Sequence, residues 1–173
     1  KSVYAPVPEG QAKALRRAYH AAGYTPDTVE LIEAHGTGTR AGDIAEIEGL
    51  KIAFEESGRV DRQWCAVGSI KSQIGHTKSA AGAAGLIKAA LALHERVLPP
   101  TIKVTTPNPG ARFSESPFYV NSEARPWIRG GDHPRPLRSV GLGDRLPDVD
   151  HAFLAPTLRR SGFLRYSKTS FGS

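Results

Sequence analysis

The sequence contains a single cysteine, Cys65, and no methionine among its 173 residues. One cysteine excludes a disulfide within the chain and a zinc site built from several cysteines. Cysteine-nucleophile chemistry would therefore need Cys65 or a residue outside this chain. The scarcity of cysteine predicts a reducing, cytoplasmic setting, and the absence of methionine indicates that the chain does not begin at an unprocessed start codon.

Long hydrophobic runs are also absent. No apolar run approaches the roughly 20 residues that span a bilayer, and the N-terminus lacks the layout of a secretory signal peptide. Hydrophobic residues make up 39% of the chain, and 18 glycines and 13 prolines are spread along it. This composition is typical of a globular protein without a membrane partner, and the length fits one domain with a real core.

Positive charge is concentrated at one end of the chain. The formal net charge is +6, and residues 124–173 carry nine Lys or Arg against four Asp. This end is either a basic surface for an acidic partner or nucleic acid, or a solvated tail. The second interpretation is preferred, because aromatic residues do not alternate with the basic ones and no nucleic-acid motif is present. We therefore expect no nucleic-acid partner.

Helical and extended patterns alternate along the first 121 residues. Apolar periodicity predicts helices over 11–22, 43–56 and 78–97, and β-branched or buried runs predict strands over 28–33, 64–70 and 118–121. Asp43 is predicted to cap the second helix, with Glu46 completing a capping box, and Pro99-Pro100 is predicted to end the third. Strands that alternate with helices predict an α/β layered domain.

The first loop that carries chemistry follows the first predicted strand and reads Glu-Ala-His-Gly-Thr-Gly-Thr-Arg-Ala-Gly-Asp over 33–43. His35 opens a glycine turn at a strand end, where α/β sheets place their ligand sites. The glycines let the backbone approach a substrate, and Thr37 and Thr39 add hydroxyl donors. In the alternative interpretation the turn is structural and His35 caps a neighbouring carbonyl. Spacing alone leaves both open.

The second loop follows the next predicted strand and opens a helix, over residues 68–82. Lys71 and His76 both lie in this turn, close to helix N-terminal amides. A cation, an imidazole and a positive dipole end together favour a developing negative charge. We therefore expect a neutral imidazole that acts as a hydrogen-bond donor. Lys71 could equally pair with a carboxylate such as Glu46 for structural reasons, and the two interpretations are compatible.

Three other patterns are weaker. Gly36-x-Gly38-x-x-x-Gly42 is one residue off the dinucleotide-binding fingerprint, which leaves an NAD(P)-binding module as an alternative. The histidines form no His-x-x-x-His pair, so we expect no metal site. Cys65 lies between apolar neighbours in a predicted strand, which favours a buried, inert thiol. A further alternative is a non-catalytic interaction domain that uses the basic end.

The two loops together are similar to a known pair of motifs. Glu-Ala-His-Gly-Thr-Gly-Thr at 33–39 and Lys-Ser-x-x-Gly-His-x-x-x-Ala-Ala-Gly at 71–82, with the continuation Gly42-Asp43-x-x-Glu46, resemble the two histidine motifs of β-ketoacyl synthases. The resemblance covers residues 1–138. Within the family, the stretches at 2–19 and 98–104 resemble iterative type I polyketide synthases, particularly enediyne-type synthases.

The resemblance implies a thiolase-like α/β layered fold, of which this chain would be the C-terminal half. The nucleophilic cysteine of the family would then lie upstream, outside this chain, and the isolated fragment would be inactive in condensation. The implied reaction is decarboxylative Claisen condensation in polyketide or fatty acid biosynthesis. A malonyl thioester loses CO₂, and the resulting enolate attacks an acyl thioester on that cysteine.

The family resemblance also implies residue roles and partners. His35 and His76 would donate to the enolate oxygen, and Lys71 would organise the site. Thr37 and Thr39 would lie near the malonyl or phosphopantetheine arm, with Asp43 and Glu46 as supporting partners behind the histidines. The implied partners are an acyl carrier protein, whose phosphopantetheine arm carries the substrate, and a second copy of the parent enzyme in a homodimer. No cofactor would bind the chain directly.

The resemblance weakens after residue 138. The family continues with a strand and a Gly-Phe-Gly-Gly-Thr/Ser-Asn loop, whereas this chain reads Ser-Val-Gly-Leu-Gly-Asp-Arg over 139–145. Leu142 would replace the aromatic residue that gates the site. We therefore divide the chain into the C-terminal portion of a ketosynthase domain (1–138) and a diverged, weakly structured basic end (139–173).

Overall fold

A computed structural model describes the backbone of residues 7–128, 139–142 and 152–154, and the side chains of the first of these ranges. Within them, five strands form one sheet in the order β4-β2-β1-β6-β7. The strands are β1 (Leu31–Glu33), β2 (Cys65–Gly68), β4 (Phe118–Val120), β6 (Ser139–Leu142) and β7 (Ala152–Leu154). Strands β4, β2, β1 and β6 are parallel to one another, and β7 pairs antiparallel with β6.

Helical crossovers connect the adjacent parallel strands. Helix α2 (Arg40–Glu55) joins β1 to β2, and helix α4 (Ala81–Glu95) lies between β2 and β4 in the chain. Because β1 and β2 are paired in parallel, with Glu33 opposite Gly68, their carboxyl ends lie side by side. The loops that leave these two strands therefore start at the same edge of the sheet, the edge at which α/β proteins bind their ligands.

The larger core lies between the sheet and a layer made of α2 and α1 (Pro8–Ala22). The two helices approach closely at Gly49, where an added Cβ would lie 2.9 Å from Gln11 Cβ and 3.0 Å from the Pro8 carbonyl oxygen. A larger residue at that position would force the helices apart. The core side chains of this layer are buried and mostly apolar, and the largest include Leu15, Ile32, Leu50, Phe54 and Phe118.

Helix α4 covers the opposite face of the sheet. Ala92 of α4 packs with Leu31 and Ala66 of the sheet, with Leu98 of the short antiparallel ribbon β3–β5, and with Trp127, which follows the ribbon. The ribbon pairs β3 (Val97–Leu98) with β5 (Arg125–Pro126). Among the described residues, no helix is both long and apolar enough to cross a membrane.

The predicted succession of helices and strands is confirmed, but the predicted capping box is wrong. Helix α2 begins at Arg40 after Thr39, three residues earlier than predicted. The Asp43 and Glu46 carboxylates do not cap the helix. They bind backbone N–H groups of the preceding loop instead. The local pattern fits a capping box, but the folded loop offers these carboxylates other donors.

The ends of the third predicted helix also differ. Lys78–Ala80 forms a 3-10 turn before α4, and the helix ends at Glu95, where Arg96 adopts a left-handed conformation with φ 56°. The helix therefore stops before Pro99-Pro100, contrary to prediction. A four-residue helix, α3 (Lys71–Ile74), lies within the second predicted site loop (68–82) and was not predicted.

The basic end contains two of the strands described above, β6 and β7, within 139–173. Strand β6 pairs with β1, with Val140 opposite Ile32, so the chain returns to the sheet after the last residue of the predicted ketosynthase portion. The remaining residues of this end lie outside the described part of the chain. Its division from the rest at residue 138 stays a prediction.

Candidate active site

The two histidines of the predicted loops face each other at the carboxyl edge of the sheet. Their ring centroids lie 6.0 Å apart and the ring planes are perpendicular, at 90°. His35 follows β1 and His76 follows α3 in the loop after β2, so the parallel pairing of β1 with β2 is what brings them together. His35 is half-buried and His76 is exposed. The site therefore opens outward on the His76 side.

Glu46 fixes the backbone of the first loop. Its carboxylate accepts the His35 backbone N–H at 2.7 Å and the Gly36 backbone N–H at 3.0 Å. Burial raises the pKa of the Glu46 carboxyl above its ordinary value, and the two amide hydrogen bonds oppose that rise. Because the carboxylate sits on a helix packed in the core, it ties the start of the histidine turn to the rigid part of the molecule.

Gly36 lets the two loops approach each other. Its φ of 48° lies in the left-handed region, and an added Cβ would be 2.7 Å from Ser69 Cβ. Both conditions favour glycine, because side chains rarely tolerate that backbone angle and no space remains for one. Any larger residue here would separate the His35 turn from the loop that carries His76.

The outer part of the first loop carries the two predicted threonines. The hydroxyls of Thr37 and Thr39 lie 3.3 Å apart, and both residues are exposed. Asp43 supports this part of the turn by accepting the Gly38 backbone N–H at 3.2 Å. Burial raises the pKa of the Asp43 carboxyl. The two threonine hydroxyls therefore stand at the solvent side of the site on a turn that is anchored from α2.

Hydrogen bonds of two serines, Ser69 and Ser72, hold the second loop in place. Ser69 Oγ accepts the Lys71 backbone N–H at 3.3 Å, and Ser72 Oγ donates to the Ser69 carbonyl at 2.8 Å. Ser72 Oγ also accepts the Ile102 backbone N–H at 3.2 Å, which ties the loop to the segment after Pro99-Pro100. The position of Lys71 is thus set by contacts on both of its sides.

The His76 ring has a defined orientation. Its Nδ1 accepts the Lys78 backbone N–H at 3.0 Å. Because Nδ1 is an acceptor in this contact, the neutral imidazole carries its proton on Nε2. The ring therefore presents an N–H donor on the side away from the backbone of its own loop.

A buried ion pair lies below the second loop. Lys88 Nζ of α4 lies 2.8 Å from Glu33 Oε2 of β1, and the two side chains are 6% and 4% exposed. The other carboxylate oxygen, Glu33 Oε1, accepts the Ile70 backbone N–H at 2.5 Å. Burial raises the pKa of the Glu33 carboxyl, and the attraction of Lys88 opposes that rise.

The positive charge of Lys71 acts on both buried carboxylates, Glu33 and Glu46. Lys71 begins α3, and its positive charge lowers the pKa of Glu33 and of Glu46 against the larger effect of burial. The prediction that Lys71 interacts with Glu46 is consistent with this arrangement, and Glu33 is a second carboxylate that the sequence did not suggest.

A cavity of about 360 Å³ opens between the two loops. Its wall includes five residues of the predicted set: Thr37, Asp43, Glu46, Lys71 and His76. The segment 101–113 forms the opposite wall, mainly with apolar side chains. The cavity is therefore polar on the side of the histidine loops and apolar on the other.

All seven predicted site residues gather in this region, although their contributions to the cavity differ. Neither His35 nor Thr39 lines the cavity: His35 lies against the His76 ring, and Thr39 contacts Thr37. Cys65 lies on β2 in the interior, fully buried, and burial raises the pKa of its thiol well above the ordinary value. The prediction of a buried thiol is confirmed.

Sequence reasoning missed the Glu33–Lys88 pair and the wall formed by 101–113. A signal for the pair exists, because Glu33 ends a short strand between apolar neighbours, Ile32 and Ala34, and Lys88 interrupts an apolar, alanine-rich helix. Charged residues in such settings are rarely buried unless they are paired. No comparable pattern marks the segment 101–113, whose placement depends on the sheet.

Comparisons with known proteins agree on one family. The family model described as the C-terminal domain of beta-ketoacyl synthase matches residues 1–105. The chain is 45% identical over 139 residues to a phenolphthiocerol/phthiocerol polyketide synthase of Mycobacterium tuberculosis, covering 80% of this chain and 9% of that protein. It is 44% identical over 147 residues to a polyunsaturated fatty acid synthase of Thraustochytrium sp., covering 82% of this chain and 5% of that protein.

Solved structures give the same result. Ketosynthase twelve of the bacillaene polyketide synthase of Bacillus amyloliquefaciens superposes with a TM-score of 0.77 at 38% identity, covering 82% of this chain and 25% of that one. The module 6 ketosynthase of the bacillaene synthase of Bacillus subtilis 168 superposes with a TM-score of 0.75 at 38% identity, covering 82% of this chain and 25% of that one.

The chain thus spans about a quarter of these solved ketosynthases and less than a tenth of the curated relatives named above. These comparisons favour neither the NAD(P)-binding module nor the interaction domain. The finer resemblance to enediyne-type synthases stays a prediction. The fold is the C-terminal half of the thiolase-like ketosynthase fold, and the chain belongs to the β-ketoacyl synthase family.

Proposed function

We propose that this chain is the malonyl-activating part of a ketosynthase that catalyses decarboxylative Claisen condensation in polyketide or fatty acid biosynthesis. The observation that carries the proposal is the pair of imidazoles, His35 and His76, whose ring centroids lie 6.0 Å apart, with His76 on the wall of the cavity. Two neutral N–H donors aimed at one point stabilise an oxyanion, which is the difficult species in this reaction.

The reaction proceeds in two steps. The malonyl thioester loses CO₂, and the electron pair of the broken C–C bond forms the enolate, whose negative charge rests on the thioester oxygen. The enolate carbon then attacks the carbonyl of an acyl thioester, forming the new C–C bond and releasing the cysteine thiolate. Donors that bind the oxygen more strongly in the enolate than in the starting thioester lower the barrier to the first step.

His76 and His35 are assigned as these donors. For His76, the hydrogen bond accepted by Nδ1 from the Lys78 N–H supports the tautomer with the proton on Nε2, which can donate to the enolate oxygen. For His35, the anchoring of its own and the following backbone N–H by Glu46 supports a fixed ring position. Fixed donors need no reorganisation when the charge develops.

The remaining residues act around the donors. Lys71 supplies the positive charge that organises the site, and its influence on Glu33 and Glu46 supports this role. Asp43 and Glu46 support the first loop from α2. The apolar wall at 101–113 favours loss of the malonyl carboxylate, because a dry surface stabilises the charged starting group less than water does.

The substrate arrives on the phosphopantetheine arm of an acyl carrier protein in this proposal. The open cavity with exposed hydroxyls of Thr37 and Thr39 on one side fits a slender arm that carries amide groups. The arm supplies the thioester that activates the malonyl group. We further propose that the parent enzyme acts in the cytoplasm as a homodimer.

The nucleophilic cysteine is assigned to a part of the ketosynthase outside this chain. Cys65 is unsuited to the role, because its buried thiol has a raised pKa and stays protonated at neutral pH. The chain alone is therefore expected to be inactive in condensation, and condensation by the chain alone would contradict this assignment.

The test compares variants of the complete ketosynthase that contains this chain, supplied with an acyl thioester and a malonyl carrier protein. The wild type is expected to form the condensed product, and His76→Ala is expected to form none. His94→Ala is the matched control, because His94 is an exposed histidine near the end of α4. Full condensation by His76→Ala would overturn the assignment, and an inactive wild type would overturn the function itself.

A further inference from the structure

The buried ion pair between Glu33 and Lys88 lies beside the site without lining its cavity. The 2.8 Å contact joins β1 to α4, and both side chains are almost fully enclosed. Neither residue touches the space that a substrate would occupy. The reaction described above gives neither of them a role.

Stability alone does not account for the pair. Removing two charges from water is costly, and well-packed apolar residues of similar volume are often as stabilising as a buried ion pair, or more so. The distinctive feature is that Lys88 occupies only one oxygen of the Glu33 carboxylate. The other oxygen accepts the backbone N–H of Ile70, the residue immediately before Lys71.

The space around Glu33 is shaped to this arrangement. An added Cβ at Gly85 of α4 would lie 3.0 Å from Glu33 Cγ, and one at Gly68 of β2 would lie 3.5 Å from Lys88 Nζ. Gly85 thus leaves just enough room for the carboxylate between the helix and the strand. The Glu33 side chain has little freedom to turn away from the Ile70 amide.

We propose that Glu33, oriented by Lys88, is a positioning residue that fixes the Lys71–His76 loop for decarboxylation. The carboxylate connects the middle of α4 to the backbone amide immediately before Lys71, so the Lys71–His76 segment starts from a fixed point. Glu46 does the same for the His35 turn, and the two carboxylates together set the relative position of the two imidazoles. This role rests on the proposed function, because it assigns the loop to enolate stabilisation.

The test uses two double variants of the complete ketosynthase that differ only in their ability to bind the Ile70 amide. Glu33→Gln with Lys88→Met removes both charges and keeps a carbonyl oxygen for the Ile70 N–H. Glu33→Met with Lys88→Met removes both charges and the acceptor, with a side chain of similar length. If the pair served stability alone, the two doubles would behave alike.

The readouts are the kcat and KM of malonyl decarboxylation and the rate of acyl loading. The Gln/Met double is expected to stay near the wild-type kcat. The Met/Met double is expected to lose about 100-fold in kcat, the scale of loss caused by a small misplacement of reacting groups. Its KM for malonyl carrier protein and its acyl loading are expected to change little, because neither depends on the loop being held in place for decarboxylation.

Lys51→Met is the matched control. Lys51 is another buried lysine in an ion pair, 3.1 Å from Glu48 on α2, and its substitution is expected to leave kcat unchanged. Gly85→Ala is the second test if a double variant does not fold. The added methyl group displaces the Glu33 side chain without removing it, and the variant is expected to lower kcat several-fold.

Each outcome is decisive. Equal kcat values for the two doubles, or an unchanged kcat in Gly85→Ala, would overturn the role of Glu33 and leave the proposed function intact. A wild-type enzyme that releases no CO₂ would overturn the proposed function, and the role of Glu33 with it.

Discussion

Glu33 and Glu46 are both buried carboxylates that anchor one of the two histidine loops, but their charges are balanced in different ways. Glu46 accepts two backbone N–H groups from the His35 turn, whereas Glu33 accepts one from the second loop and pairs with Lys88. A side-chain substitution in the His35 turn leaves the backbone N–H groups that bind Glu46 in place. A substitution of Lys88, in contrast, removes the ammonium group that pairs with Glu33. The second anchor therefore depends on Lys88, a residue far away in the sequence, whereas both hydrogen-bond donors of the first anchor lie in the loop it binds.

The largest effect that separates the two anchors is expected from Lys88→Met. This substitution leaves the Glu33 carboxylate buried without its counter-charge, which costs about 3–5 kcal/mol in the free energy of unfolding. Glu46 is bound by two backbone N–H groups, and the Lys88→Met substitution leaves both of these hydrogen bonds in place. The measurement is urea unfolding of the 173-residue chain, compared with Lys51→Met.

The same variant has a predicted pH dependence. Burial already raises the pKa of Glu33 above its ordinary value of 4.5, and loss of Lys88 removes the largest opposing attraction. A carboxyl with a raised pKa in the folded state binds its proton more readily there, so its folding stability falls as the pH rises above about 4.5. The loss of unfolding free energy in Lys88→Met, relative to the wild type, is therefore expected to be larger at pH 7 than at pH 5. An equal loss of stability at both pH values would contradict a raised pKa of Glu33 in the folded variant, because a carboxyl that is charged in both the folded and unfolded states gives no pH dependence.

A smaller effect is expected from Glu46→Ala. The variant leaves two amide N–H groups of the first loop without their acceptor, at about 1–3 kcal/mol for each group that stays buried. Hydrogen exchange measured by mass spectrometry is expected to accelerate in residues 34–39 and to stay unchanged in residues 69–77. Glu46→Gln keeps one acceptor oxygen, so its exchange rates in residues 34–39 are expected to lie between those of the wild type and of Glu46→Ala. Equal acceleration in both loops would show that the anchors are not separate.

The sequence predicted the contents of the site better than its supports. The two histidine motifs could be located because each follows a strand, and parallel neighbouring strands place their carboxyl ends together. The hydrogen bonds of Glu46 could not be read from the local pattern, because Asp43 and Glu46 also satisfy the pattern of a capping box; only the family resemblance placed both carboxylates behind the histidines. The folded loop decides between those uses, and no local pattern contains that information.

The Glu33–Lys88 pair was hidden for a related reason. Its members lie on different elements and meet only because α4 packs against β1 at Gly85. In the sequence, each residue is a charged residue between apolar neighbours. Pairing them requires knowledge of which faces of the helix and strand meet, which depends on the packing of the whole sheet.

The smallest effect is expected from Gly85→Ala. The new Cβ would lie 3.0 Å from Glu33 Cγ, so overpacking costs about 1–3 kcal/mol in the free energy of unfolding. Replacing glycine by alanine inside a helix returns about 1 kcal/mol, so the net loss is small. Gly10→Ala on α1 is the control, because its Cβ would meet only Val7 Cβ at 4.0 Å. The control is expected to gain stability, and a similar gain in Gly85→Ala would show that Glu33 has room to move.

The central claim is that His35 and His76 together stabilise the enolate formed from the malonyl group. The most direct measurement is CO₂ release from malonyl carrier protein by the complete ketosynthase, recorded separately from acyl loading of the cysteine. His35→Ala and His76→Ala are each expected to lower CO₂ release by about 100-fold or more, the scale for loss of one oxyanion donor, with acyl loading unchanged. CO₂ release at the wild-type rate in either variant would contradict the claim.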